Sequence, residues 1–216
     1  MARVSDFLVD VRPSAAEAPT PSIESEIRRG VIELCRESQI WRQEVGVELV
    51  EGKTDYQLRV TGEGRADNVL KALYIDDDNR QMVLQKGRHG DFVAGRESQF
   101  PLGGPPRYFT VLPDGAAIRI HPIPDSSGSN PRLIVYTTVV PSRRARTIPD
   151  FIANKHHDAI VAFAKWRLLV IPDKPWTDPR MAEYHRRQFY RGVNQARREA
   201  LSEQWAPTQV KLRRWV

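Results

Sequence analysis

The feature that most constrains this chain is a hydrophobic period that changes twice. Apolar residues recur every three to four positions near the amino end, roughly every second position through the middle, and every three to four again near the carboxyl end. An amphipathic helix cannot bury its own apolar face. The helical ends must therefore pack on each other, with the middle folding as an insertion. In TPSIESEIRRGVIELCRESQIW, Ile23, Ile27, Val31, Leu34, Ser38 and Trp41 trace one buried face. Thr20 is placed to cap this helix, with Pro21 in its first turn. Cys35 lies on the apolar side and reads as core rather than as a nucleophile.

Between residues 45 and 147 lie VGVELV, YQLRV, VLKALYI, RQMVLQ, RYFTVL, AAIRIHPI and RLIVYTTVV, strand-like runs separated by EGKTD, DDDN, GGPP, LPDG and PDSSGSNP. These breaks are rich in residues that tolerate turn dihedrals. The runs predict an antiparallel sandwich or open barrel. Helical periodicity returns at Ile148. The segment after Ala159 is apolar almost all round, as for a helix surrounded by protein, and Pro172 is expected to end it. PDKPWTD then leads into a last helix that Asp178 caps and Pro179 opens. Its packing face is Ala182, His185, Phe189, Val193, Ala196 and Ala200, and Arg187, Arg191 and Arg198 fall opposite. The reading is an α+β chain. Residues 1–44 and 148–206 form a helical bundle, 45–147 an inserted β domain, and 207–216 an extended C-terminal arm.

Composition narrows the chemistry. The chain of 216 residues with 40% hydrophobic content can bury a core. Its 33 Lys and Arg against 27 Asp and Glu give a net charge of +6, which permits an acidic partner without naming one. A single cysteine excludes an intrachain disulfide and the usual cysteine-rich zinc sites, and fits a reducing compartment. The start MARVSDFLVDVRP lacks the pattern of a secretory leader, and no run approaches the ~20 apolar residues of a membrane span, so a soluble cytoplasmic product with no membrane partner is expected.

Catalytic signatures are weak. His156, His157 and Asp158 are adjacent, so on a helix they point about 100° apart and cannot all ligate one ion, and a pair of His156 with His185 would still need a third converging ligand. The acids Asp76, Asp77 and Asp78 with Asn79 lack the pattern of a calcium loop and read as a hairpin turn. GEG at 62–64 lacks a P-loop ending, and no Gly-x-Ser-x-Gly elbow is present. No enzymatic activity, metal or cofactor is expected. SRRARTIP and the arginines of the last helix admit an alternative, a basic nucleic-acid-binding module, although Glu183, Glu199 and Glu203 intersperse that helix. In the final APTQVKLRRWV, Val210, Leu212, Trp215 and Val216 offer apolar area while Lys211, Arg213 and Arg214 add charge, a composition suited to an interface anchor. A frayed terminus is the competing reading.

CRESQIWRQEV, YFTVLPDGAAIRIHPIP and LLVIPDKPWTDPRMAEYHRRQFYRGVNQAR, in that order, resemble the head-to-tail adaptor proteins of short-tailed bacteriophages, the tail tubular protein A family. The likeness runs over roughly residues 5–205 and rests on the Trp ending the first helix, the I-x-P-x-P strand end and the Pro-Trp-x-x-Pro entry to the last helix. It implies a structural virion protein of the neck, assembled in the bacterial host cytoplasm as a ring, usually twelve-fold, between the portal protein and the tail nozzle protein. DNA would transit the lumen without sequence-specific binding. By position, the resemblance assigns portal binding to Val210, Lys211, Leu212, Arg213, Arg214, Trp215 and Val216. The loops GRESQFPLGGPP and PDSSGSNP are candidates for the nozzle, and the arginines of the last helix would face solvent or a neighbouring subunit.

Overall fold

A computed structural model describes residues 1–76, 78–87, 103–113, 115–124 and 132–204. The chain divides into two compact units, one of Met1–Arg3 with Trp41–Pro149 and one of Val4–Ile40 with Asp150–Val216. It passes between them after Arg3, after Ile40 and after Pro149.

The second unit is helical. A 3-10 turn at Val4–Phe7 leads into α1 (Leu8–Val11), and α2 (Thr20–Ser38) follows. After the insertion come α3 (Asp150–Lys155), α4 (His157–Leu169) and α5 (Pro179–Gln204). α2, α4 and α5 pack on one another. Ile23, Ile27, Val31 and Leu34 are fully buried, as the period predicts, and meet a core that includes Ile160, Ala164, Phe189 and Ala196. α4 is buried from Ala159 through Ala164 without interruption, because neighbouring helices flank it on more than one side. Cys35 is a buried core residue.

Three helix ends differ from expectation. Thr20 is the first helical residue of α2, preceded by Pro19 as a cap without a side-chain hydrogen bond, and its hydroxyl instead accepts a 2.8 Å hydrogen bond from Arg12 Nη2. At the far end Gln39 takes the left-handed conformation, φ 55°, and its N–H donates to the Cys35 carbonyl at 2.9 Å. That cap stops the helix at Ser38, so Trp41 does not continue its apolar face. The Trp41 carbonyl accepts from Val139 N–H at 2.8 Å, and Trp41 is buried in the other unit. Similarly α4 stops at Leu169, before Pro172, because Ile171 N–H turns back to Leu168 O at 3.2 Å.

The first unit holds β1 (Ala2–Arg3), β2 (Arg42–Glu48), β3 (Asp55–Gln57), β4 (Gly64–Ile75), β5 (Gln81–Val83), β6 (Gln85–Lys86), β7 (Tyr108–Val111), β8 (Ala117–His121), β9 (Arg132–Pro141) and β10 (Thr147–Ile148). One four-stranded sheet runs β2-β9-β4-β5, a second β3-β8-β7-β6, and β1 pairs with β10. Residues of both larger sheets, among them Val45, Val69, Leu133, Tyr56, Phe109 and Ile120, form one buried cluster. The run RQMVLQ divides between the sheets at Leu84, whose N–H donates to Ala72 O at 2.9 Å while its side chain joins that cluster. Beyond this switch β6 pairs with β7 in parallel, a departure from the all-antiparallel expectation. Parallel pairing requires a long crossover connection, and residues 87–107 separate the two strands in the sequence.

β4 carries register shifts between Ala66 and Asn68 and between Val69 and Lys71. The buried β9 threonines satisfy the disturbed backbone there. Thr137 Oγ1 donates to Asn68 O at 2.8 Å, and Asn68 N donates to Thr138 Oγ1 at 3.1 Å. Gly64 at the start of β4 lets the strand approach Trp41, since an added Cβ would sit 2.5 Å from Val139 Cγ1 and 2.9 Å from Trp41 Cη2.

Helix contact is equally close at Gly192 of α5, where a Cβ would stand 2.5 Å from the Cβ of Ala159. Alanine in a helix interior is ordinarily favoured over glycine by about 1 kcal/mol. Here the obstacle is a methyl fixed to the α4 backbone, so overpacking prevails. Gly192→Ala is expected to lower stability by about 1–3 kcal/mol, measured by urea unfolding, with Ala159→Gly restoring part of the loss in the double variant.

Candidate functional site

In the helical unit the segment after α4 folds back to launch α5. Thr177 Oγ1 donates to Ile171 O at 2.6 Å and accepts from Lys174 N–H at 3.0 Å, while Asp178 N–H donates to Leu169 O at 3.0 Å. Asp178 Oδ1 then accepts from the N–H groups of Arg180 and Met181, each at 3.0 Å, and Pro179 occupies the first helical position, as the sequence predicts. A pocket of about 360 Å³ lies beside this turn, lined by residues that include Leu169, Pro175, Trp176, Asp178, Met181 and His185. Its one carboxylate is the helix cap. Burial first, then the Lys165 charge, holds His185 below the usual histidine value, so the pocket favours neutral imidazole.

His156 and His157 are not among the residues lining it. His156 is buried, with Nε2 3.6 Å from Glu199 Oε2. Burial lowers its pKa more than the Glu199 carboxylate raises it, and Lys155 lowers it further. His157 instead stacks on Phe7 at 4.7 Å and points Nε2 toward Asp10 Oδ2 at 3.3 Å. Among the described residues no group of three His, Cys, Asp or Glu side chains is arranged to hold a metal ion. The Asp76 turn is a hairpin between β4 and β5, closed by Asp76 Oδ1 accepting from Arg80 N–H at 2.7 Å.

The outward face of α5 is cationic. Arg187, Arg191 and Arg198 are exposed opposite the buried Ala182, Phe189, Val193, Ala196 and Ala200. Glu183 accepts from Arg186 Nε at 2.7 Å and Arg187 Nε at 3.0 Å, and these bonds, Arg186 foremost, pull its carboxyl down to about 2. Glu199 turns to the other side, toward His156 and the Gln195 amide, which donates to it at 3.2 Å. Arg197 has a separate task that periodicity does not reveal. Its Nη2 reaches the Glu37 carbonyl at 2.8 Å and the Glu37 carboxylate at 3.0 Å, tying α5 to the carboxyl end of α2. Phe163, Trp166, Phe189 and Tyr190 form an aromatic cluster that grades from the core to the surface, Phe163 and Phe189 lying 4.9 Å apart and Tyr190 half exposed.

In the β unit, Arg143 and Arg144 are exposed beside a turn clamped by Glu63, whose carboxylate accepts from the N–H groups of Thr147, at 2.9 Å, and of Arg146. Those backbone bonds lower the Glu63 pKa. The predicted arm residues 210–216 and most of the two candidate loops, 95–102 and 125–131, lie outside the described residues. No helix among the described residues is long and apolar enough to cross a membrane.

The family model described as SU10 adaptor protein matches residues 1–212. Its description does not carry the narrower label tail tubular protein A. No curated protein matches the chain.

Two measurements check the electrostatics of this unit. Removing the cap with Asp178→Ala is expected to reduce stability by about 1 kcal/mol in chemical unfolding. His156 and His185 bind protons more weakly folded than unfolded, so stability should fall as pH drops from the ordinary histidine value of 6.5 toward their lowered values. His156→Gln should flatten that dependence in part, read as unfolding midpoint against pH.

Proposed function

Because the chain belongs to the SU10 adaptor protein family, we propose that it is a structural protein of a bacteriophage virion, an adaptor in the neck between head and tail. The match over residues 1–212 carries this reading, since it spans both compact units rather than one shared module. In the proposed assembly, copies close into a ring, twelve-fold by resemblance, between the portal protein and the tail nozzle protein, with DNA passing through the lumen. Cyclic repetition makes individually modest contacts durable, which suits a chain with mixed polar and apolar outer faces. The role is mechanical and needs neither cofactor nor turnover. A pocket whose carboxylate is committed to a helix cap is consistent with that role.

Portal attachment is proposed for the C-terminal arm. Val210, Leu212, Trp215 and Val216 supply apolar area, and Lys211, Arg213 and Arg214 supply charge, in the sequence that follows α5. Truncation after Trp205 is expected to abolish co-sedimentation with purified portal while leaving the thermal unfolding of the chain unchanged. Retained co-sedimentation would remove the arm's role, and failure of the full-length chain to bind portal would count against the neck assignment itself.

A further inference from the structure

The outward face of α5 is more uniform than a charged helix surface usually is. Arg180, Tyr184, Arg187, Arg191, Asn194 and Arg198 follow one another at intervals of four and three positions, which places them in a single column about 27 Å long at 1.5 Å rise per residue. All six are exposed. Between Arg180 and Arg198 the helix has one acid, Glu183, and it is held by Arg186 and Arg187. Arg180, Arg191 and Arg198 make no ion pair with any described residue, whereas Arg197 nearby is bound to Glu37. Solvated helix faces typically alternate charge and pair it at three or four positions. Three of the column's four guanidinium groups, those of Arg180, Arg191 and Arg198, stay unmatched, while Arg187 is paired with Glu183.

We propose that the column is a sequence-indifferent contact for the phosphate backbone of duplex DNA. The inference goes beyond the neck assignment and does not depend on ring formation. A planar guanidinium is weakly hydrated and pairs with phosphate through two parallel hydrogen bonds. The alternative occupant, an acidic protein face, fits less well. Protein interfaces build their centres from apolar and aromatic groups with charge at the rim, while DNA interfaces are polar and strongly positive throughout. Here Tyr184 is the one large aromatic among four arginines, and Asn194 adds a hydrogen-bonding amide. Contacts to phosphate fix position without reading bases.

The test uses the full chain and a fluorescein-labelled duplex of arbitrary sequence, followed by anisotropy across a salt series. With four phosphates neutralised, the logarithm of the association constant should fall with the logarithm of salt at a slope of about −3.6, or about 300-fold from about 20 to about 100 mM. R180Q/R191Q/R198Q should reduce the steepness by about 2.7, and the matching lysine variant should retain most of it. R59Q/R65Q/R132Q, at three exposed arginines of the β unit outside the SRRARTIP run, removes the same formal charge and should leave the slope nearly unchanged. No measurable binding at low salt, equal weakening by both glutamine variants, or competition by poly-glutamate as strong as by unlabelled duplex at equal charge would each overturn the proposal. Circular dichroism of the variants keeps loss of fold distinct from loss of contact.

Discussion

The burial of α4 is the constraint on which the rest of the helical unit depends. A helix apolar from Ala159 through Ala164 has no face to offer water, so it must be flanked by other helices. Its flanks are α2, formed early in the sequence, and α5, formed last. The approach is close enough that Gly192 and Ala159 can both afford almost no side chain at their contact. Once both chain ends are committed to that bundle, residues 41–149 can only fold as a separate body between them. The β unit meets the same demand through paired sheets that share one core and through buried threonines that satisfy the bulged backbone of β4.

What could be read in the residues, and what could not, divides by sequence distance. The three-to-four spacing located the buried faces of α2 and α5, and all seven strand-like runs contain strands, because period and turn chemistry are local. Asp178 could be recognised as a cap for the same reason: the N–H groups it accepts from lie two and three positions away. Thr20 and Trp41 were misread because their surroundings come from elsewhere in the fold. Arg12 occupies the Thr20 hydroxyl, and the β9 ladder draws Trp41 out of the helical period. The split of RQMVLQ at Leu84 and the parallel β6–β7 pair depend on which sheet reaches the strand first, and no window of ten residues encodes that.

The candidate site shows the same division. The exposure of Arg187, Arg191 and Arg198 follows from helical geometry. That Arg197 is different, bound across 160 positions to Glu37, does not, because two arginines one residue apart look alike in a sequence. Membership of the SU10 adaptor protein family gives the proposed role its footing, and the geometry adds a distinction within one helix: an inner face that assembles the bundle and an outer column of guanidinium groups that the bundle does not use.

The link between Arg197 and Glu37 also sets an order of events during synthesis. The apolar stripe of α2 leaves the ribosome well before the helices that cover it, and the partners of this link are separated by 160 residues. At about 5–20 residues per second that interval lasts about 8–30 s. Residues 41–149 of the β unit emerge within it and can close their core while α2 still waits. The nascent chain thus carries an uncovered helix throughout most of its translation, a stretch where a holdase would find its natural substrate.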